Sequence, residues 1–189
     1  MEASDPDLMI RLAKGDDQAL NELMDRWSER VAAFLYKMTG QREVAGDLAQ
    51  ETFVRLYQAR ERYQPTGNFS TYLFAIASNL ARNHARWRSR HPTVSMDATQ
   101  EDGTSVLPEL ADTKQTPEEA ARSAEKFRAV HEAFLCLSPD LREAMSLFVY
   151  EGMGYAEIAS ISQCSAKAVE TRIYRARQIL KERLSEFFS

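Results

Sequence analysis

Cysteine is scarce in this chain: Cys136 and Cys164 are the two among 189 residues, with no CxxC spacing and no histidine cluster beside them. That excludes a disulfide framework and a zinc ribbon, and leaves both as small, half-buried side chains. Histidine is nearly as rare, and His84, His91 and His131 fall in basic or helical contexts without a paired cysteine, serine or carboxylate. No catalytic residue, metal ligand or cofactor site is therefore assigned. The seven glycines nowhere gather into a phosphate-cradling loop. No apolar run approaches the length of a membrane span, so no membrane insertion is expected. Residues 1–7 are acidic where a secretory signal would be basic, so the expected location is cytoplasmic.

An excess of positive charge is also missing, since the formal net charge is -4. Net charge misleads when charge is segregated, and here it is. Residues 79–92 carry Arg82, Arg86, Arg88 and Arg90 with no acid. Residues 165–183 carry Lys167, Arg172, Arg175, Arg177, Lys181 and Arg183 against Glu170 and Glu182. Between them, residues 97–119 hold seven acids against Lys114 alone. Two basic patches thus flank an acidic spacer.

What the chain has in quantity is helical periodicity, and no segment alternates as a strand would. Asp5-Pro6 is a helix-start signal and Gly15 a stop. Leu20, Leu23, Met24, Trp27, Val31, Phe34, Leu35 and Met38 then recur at spacings of three and four, a wide apolar stripe ending at Gly40. Val44 to Tyr57 continue the period, and residues 63–68, with Pro65 and Gly67, read as a loop. Asn68 or Ser70 is placed to cap a helix over residues 71–89. Residues 93–115 are polar, acidic and aperiodic, a linker composition. Thr116-Pro117-Glu118-Glu119 forms a capping box, and Ser138-Pro139-Asp140 starts another helix. The expected fold is all-α: a helical bundle over residues 1–92, an acidic flexible linker over 93–116, and a second helical domain over 117–189.

That second domain ends in the layout of a helix-turn-helix: a short helix over residues 155–161, a polar connection over 162–165, and a long helix over 166–187. Ile158 and Ile161 are placed to meet Val169 and Ile173, and Ser165 to accept from the amides opening the second helix. Lys167, Ala168, Glu170, Thr171, Tyr174 and Arg175 are left near the outward face, suited to base edges in a major groove. In the first module Phe69, Tyr72 and Trp87 lie among Arg82, Arg86, Asn79 and Asn83. Side-chain amides and aromatic faces together suit unstacked, single-stranded bases. Taken singly, each aromatic reads more readily as core than as a base contact, while the basic helix reads equally as a solvated face.

Four motifs in order resemble the extracytoplasmic-function sigma factors: Asp47-Leu48-Ala49-Gln50-Glu51-Thr52-Phe53, Phe69-Ser70-Thr71-Tyr72-Leu73-Phe74-Ala75-Ile76-Ala77-Ser78-Asn79, Tyr155-Ala156-Glu157-Ile158-Ala159, and Val169-Glu170-Thr171-Arg172-Ile173-Tyr174-Arg175-Ala176-Arg177. The resemblance implies a subunit that directs core RNA polymerase to promoter DNA. It implies that Asp47, Gln50, Glu51 and Phe53 dock on the clamp helices of the polymerase's largest subunit, with a further contact at the flap region. It places Tyr63 to Asn68 at a flipped base of the minus-10 element, with Asn79, Arg82, Asn83 and Arg86 along the melted strand. Tyr155 and Arg172 would meet backbone phosphates of the minus-35 element, with Ser165 also at that element. Lys167, Glu170, Thr171, Tyr174 and Arg175 would lie at its bases. The acidic linker would thread near the RNA exit path, and an anti-sigma factor would cover the polymerase-binding surfaces.

Three positions depart from the family pattern. Gly154 replaces a hydroxyl cap and implies a weaker helix start. Ser162 stands where leucine or methionine is common. Glu170 replaces a basic or small residue and implies an altered minus-35 preference, since a carboxylate accepts from cytosine N4. Three other readings stay open on residues alone: a stand-alone dimeric repressor or activator, an enzyme, and a protein-interaction bundle.

Overall fold

The computed structural model describes residues 3–65, 67–91 and 117–185, and among them every regular element is helical. The linker, the Thr116 cap and the chain beyond Ser185 lie outside the described residues. Helix α1 (Asp5–Ala13) begins one residue earlier than its proline suggests. Ser4 is the cap, its hydroxyl accepting from the Asp7 amide while the Asp7 carboxylate accepts from the Ser4 backbone. Pro6 is the second helical residue, where its missing N–H costs nothing.

Helix α2 (Gln18–Thr39) buries the stripe read from the sequence, Leu23, Trp27, Val31, Phe34 and Leu35, and stops at Gly40 in the left-handed region at φ 71°. Helix α3 (Arg42–Gln58) turns Ala45, Ala49, Phe53 and Leu56 inward and is followed by a single 3-10 turn, Arg60–Arg62. Helix α4 (Phe69–Arg90) starts two residues earlier than expected, drawn inward by Phe69. Phe69 packs edge-on against Trp27 with ring centroids 5.7 Å apart. Phe74 sits edge-on to Phe34 at 5.3 Å. Such aromatic pairs add about 1 kcal/mol each beyond burial, enough to hold α2 and α4 in one register.

Helix α5 (Pro117–Leu135), α6 (Pro139–Val149), α7 (Tyr155–Ser162) and α8 (Ala166–Leu184) form the second module. Ile158, Ile161, Val169 and Ile173 are all buried, the crossing the sequence implies. Helix α7 includes Ser162, so the connection is residues 163–165, and Gln163 takes the left-handed conformation at φ 51° that reverses the chain.

The two modules do not stand apart. Helix α4 packs on α7, α2 packs on α5 and α6, and the buried side chains of both modules form one continuous hydrophobic cluster. Arg142 on α6 ties them together. Its guanidinium donates to the carbonyls of Met38, at 2.7 Å, of Leu137, at 2.9 Å, and of Leu135. One cation thereby satisfies the C-terminal carbonyls of α2 and α5, where helix dipoles favour positive charge.

Candidate nucleic-acid interface

Helix α8 sorts its side chains by period. Val169, Ile173 and Ala176 are buried, so Lys167, Glu170, Thr171, Tyr174 and Arg175 face outward, with Tyr174 63 % exposed. Ser165 caps the helix, accepting from the Ala168 amide at 3.1 Å. Glu170 does not stand alone, because Lys167 donates to it at 2.7 Å. The Thr171 hydroxyl donates to the Lys167 carbonyl at 2.9 Å. Arg172 is half-buried and held by Asp140 at 3.0 Å, with Cys164 Sγ at 3.6 Å. Tyr155 opens α7 with its ring 5.6 Å from Phe148, over which the Arg177 guanidinium also lies. Gly154 provides no side-chain cap, yet Glu157 Oε2 accepts from the Gly154 amide at 2.9 Å and supplies half of a capping box.

The arginine-bearing end of α4 is mostly open. Asn79, Asn83 and Arg86 are exposed, and Trp87, 56 % exposed, stacks on His91 at 5.1 Å. The remaining aromatics are structural: Phe69 is core, and Tyr63 and Tyr72 are half-buried with ring centroids 5.1 Å apart. Burial pushes both phenols upward, Tyr63 also through its neighbours Tyr72 and Asp5. Beside the loop, Ser4, Asp5, Arg26 and Trp27 from α1 and α2 face Gly67 to Ser70 across a recess of about 420 Å³. Asp5 fixes its wall, accepting from Trp27 Nε1 at 3.1 Å and from Arg26 at 3.0 Å.

Helix α3 corrects one expectation. Phe53 is 4 % exposed and belongs to the core, because the inward stripe at 45, 49, 52 and 56 carries residue 53 with it. The outward face is Asp47, Gln50, Glu51 and Val54, with Glu51 paired to Arg55 at 2.8 Å.

Two of the residues expected at the minus-10 strand are engaged by the other module. Arg82 donates to Glu143 Oε1 at 2.6 Å, to Asn79 Oδ1, and to the Ile161 carbonyl at 3.2 Å. Glu143, 2 % exposed, takes the Ser162 hydroxyl on its other oxygen at 2.8 Å. Asn68 and Thr71 both donate to Glu157 Oε1, at 2.6 and 3.2 Å. The Gly154 amide and then Asn68 and Thr71 hold the Glu157 carboxyl below its usual range. Asn68 sits at the cap position of α4 without capping it, because its amide is turned to that carboxylate. A second seam joins α2 to α5 and the end of α6. Arg30 pairs with the nearly buried Glu151 at 2.8 Å, Lys37 lies 4.1 Å over the Tyr150 ring, and Tyr36 stacks on His131 at 4.7 Å. Burial lowers the pKa of Lys37 and raises that of Glu151, the latter opposed by Arg30. Of these seam residues, the sequence singles out Arg82 and Asn68, but for DNA and for a helix cap rather than for the other module.

An all-helical protein whose second module is a helix-turn-helix, with basic faces on both modules, is the class that this geometry defines. Comparison narrows it. Residues 23–91 match the family model for sigma-70 region 2 and residues 127–180 that for sigma-70 region 4. The chain is 32 % identical over 185 residues to the RNA polymerase sigma-H factor of Pseudomonas aeruginosa, covering 95 % of this chain and 93 % of that one. It is 32 % identical to the ECF RNA polymerase sigma-E factor of Haemophilus influenzae, covering 96 % and 95 % of the two chains. Among solved structures, CnrH in complex with the cytosolic domain of CnrY superposes with a TM-score of 0.70 at 26 % identity, over 96 % of this chain and 97 % of that one. The sigma factor RpoE of Bartonella quintana, solved with the anti-sigma factor NepR, gives a TM-score of 0.65 at 21 % identity over 87 % and 96 % of the two chains, a likeness of fold. The chain belongs to the extracytoplasmic-function RNA polymerase sigma factors. Among the described residues no helix is long and apolar enough to cross a membrane, and no histidine, cysteine and carboxylate group has metal-site geometry.

Proposed function

We propose that this chain is a promoter-specificity subunit that directs core RNA polymerase to its start sites inside the cell, contributing recognition while the polymerase performs the chemistry. The observation that carries this reading is the division of α8. Its apolar residues are spent on α6 and α7, leaving Lys167, Glu170, Thr171, Tyr174 and Arg175 as an outward face beginning at a capped N-terminus. A helix presented this way fits the major groove, with Tyr155 and Ser165 at the flanking phosphates and Arg172 joining them on leaving Asp140.

On the first module, the melted minus-10 strand runs along Asn79, Asn83 and Arg86, joined by Arg82. A flipped base enters the recess bounded by Trp27, Asn68 and Phe69, whose volume lies within the range of small-ligand pockets. Tyr63 supports that recess from behind through its packing on Phe69 and Tyr72. The exposed face Asp47, Gln50, Glu51 and Val54 meets the polymerase clamp helices, its polar residues followed by an exposed valine. An anti-sigma factor is the expected inhibitor, competing for these surfaces.

Runoff transcription with purified core polymerase and a genomic promoter pool tests this reading. Promoter-specific transcripts that require the chain are expected. A stable dimer that binds the same promoters tightly without polymerase, and adds no transcripts with it, would instead establish the repressor reading.

A further inference from the structure

We propose that Trp87, braced by His91, is a base-stacking platform that carries the minus-10 reading surface to the C-terminal end of α4, where it takes one unpaired base of the melted strand. This rests on the proposed function and adds a contact to it. Asn79, Asn83, Trp87 and His91 recur at every fourth position, so they form one row along α4, and all four are exposed. Two side-chain amides thus lead directly into two aromatic rings.

The rise along this row sets what a strand lying on it needs. Four helical residues advance about 6 Å, against about 3.4 Å between successive nucleotides of a duplex strand. Bases that keep step with the row are therefore pulled away from one another, and each loses the flat face of its neighbour. An amide reads a base edge but does not replace that face. An indole does.

Trp87 is held as a platform would be. The His91 backbone N–H donates to the Trp87 carbonyl at 3.0 Å, and ring Nδ1, in the tautomer protonated there, donates to the same oxygen at 3.1 Å. The imidazole backs the indole with centroids 5.1 Å apart and planes 24° from parallel, while Trp87 stays 56 % exposed. Phe69 is core and Tyr72 half-buried, so of the three aromatics near the arginines Trp87 is the one offered to a ligand. A single exposed tryptophan would by itself call for no explanation. Its setting does: residues 79–92 hold four arginines and no acid. Among the described residues Arg86, Arg88 and Arg90 are in no ion pair, unlike Arg82. The charge selects a polyanion and the open ring selects one with planar groups, which a nucleic-acid strand supplies at every nucleotide.

The test is binding of holoenzyme, the full-length chain with core polymerase, to a fluorescent non-template strand of a promoter that it transcribes. The strand is used intact or with one abasic site moved base by base through the minus-10 region. W87A should bind the intact strand about tenfold more weakly than the parent. At one abasic position the parent should lose about as much, and W87A should lose nothing further, because the two changes remove the same contact. W87F, which keeps a ring, should bind within about threefold of the parent. The salt dependence of binding should be the same in W87A as in the parent, since an indole neutralises no phosphate. The platform is overturned if W87A binds the intact strand as the parent does, if its loss adds to that of every abasic site, if W87F is as weak as W87A, or if W87A changes the salt dependence. Should W87A not assemble with core polymerase, W87L takes its place, and failure of both to assemble would overturn the proposal by making Trp87 structural. A parent chain that yields no promoter-specific transcripts would instead reject the proposed function itself.

Discussion

At the scale of single residues, the charged groups between the modules explain more than those on the surface. His131 lies against the Tyr36 ring, with Lys37 on α2, Arg142 on α6 and Glu132 on its own helix as charged neighbours. Burial first, then Lys37 and Arg142, lower its pKa, with Glu132 opposing. The folded chain thus prefers the neutral ring, and the unfolded chain takes up a proton more readily. Stability from this site is present above the ordinary histidine range and is lost as pH falls through it toward the depressed folded value. Thermal melts between about pH 7.5 and pH 5.5 should show the midpoint falling with pH. His131→Phe, which keeps a flat ring on Tyr36, should reduce that slope. His84, lowered by burial and by Arg88, contributes a remaining slope of the same sign. An unchanged slope in His131→Phe would remove His131 from the account.

At the scale of elements, the fold was legible wherever period and punctuation agreed. The α2 stripe ending at Gly40, the Ser165 cap and the Ile158, Ile161, Val169 and Ile173 crossing follow from spacing alone, because burial of one helix face leaves little choice. Boundaries failed where tertiary packing decides them. Phe69 extends α4 inward toward Trp27, and Ser4 rather than Asp5 caps α1. Phe53 shows the limit of a motif: the family resemblance places it at a partner, whereas the period of α3 places it inside. Gly40 gives a test at this scale. A Cβ there would stand 3.1 Å from both Leu135 methyl carbons, and its φ of 71° is unfavourable for any side chain. Gly15, at φ 91°, has nothing within 4 Å of the same added atom. Gly15→Ala should cost about 1–2 kcal/mol for the backbone alone. Gly40→Ala should cost more, the difference reporting the α2–α5 contact in chemical denaturation. Equal costs would mean that Leu135 gives way freely.

At the scale of the whole molecule, the sequence revealed two modules but not their embrace. Arg30 and Glu151 are 121 positions apart, and Arg82 and Glu143 are 61 apart, so no local pattern links either pair. The same arginine run that reads as a nucleic-acid surface contains Arg82, which is spent on a carboxylate in the resting chain. Because one hydrophobic cluster spans both modules, they should unfold together. In urea, fluorescence from Trp27 and a dye at Cys136 on the α5–α6 turn should report coincident transitions. Separate midpoints would show that the seam contributes little cooperativity.

Arg82 carries a consequence for how such a regulator can change over generations. Its side chain answers to Glu143 on α6 and to the Ile161 carbonyl on α7 at once, so a substitution that loosens the first bond also subtracts from the second. Two helices of the second module are then tied to the first through one guanidinium. Variants that loosen one tie without the other must arise at its partners, such as Glu143, not at Arg82.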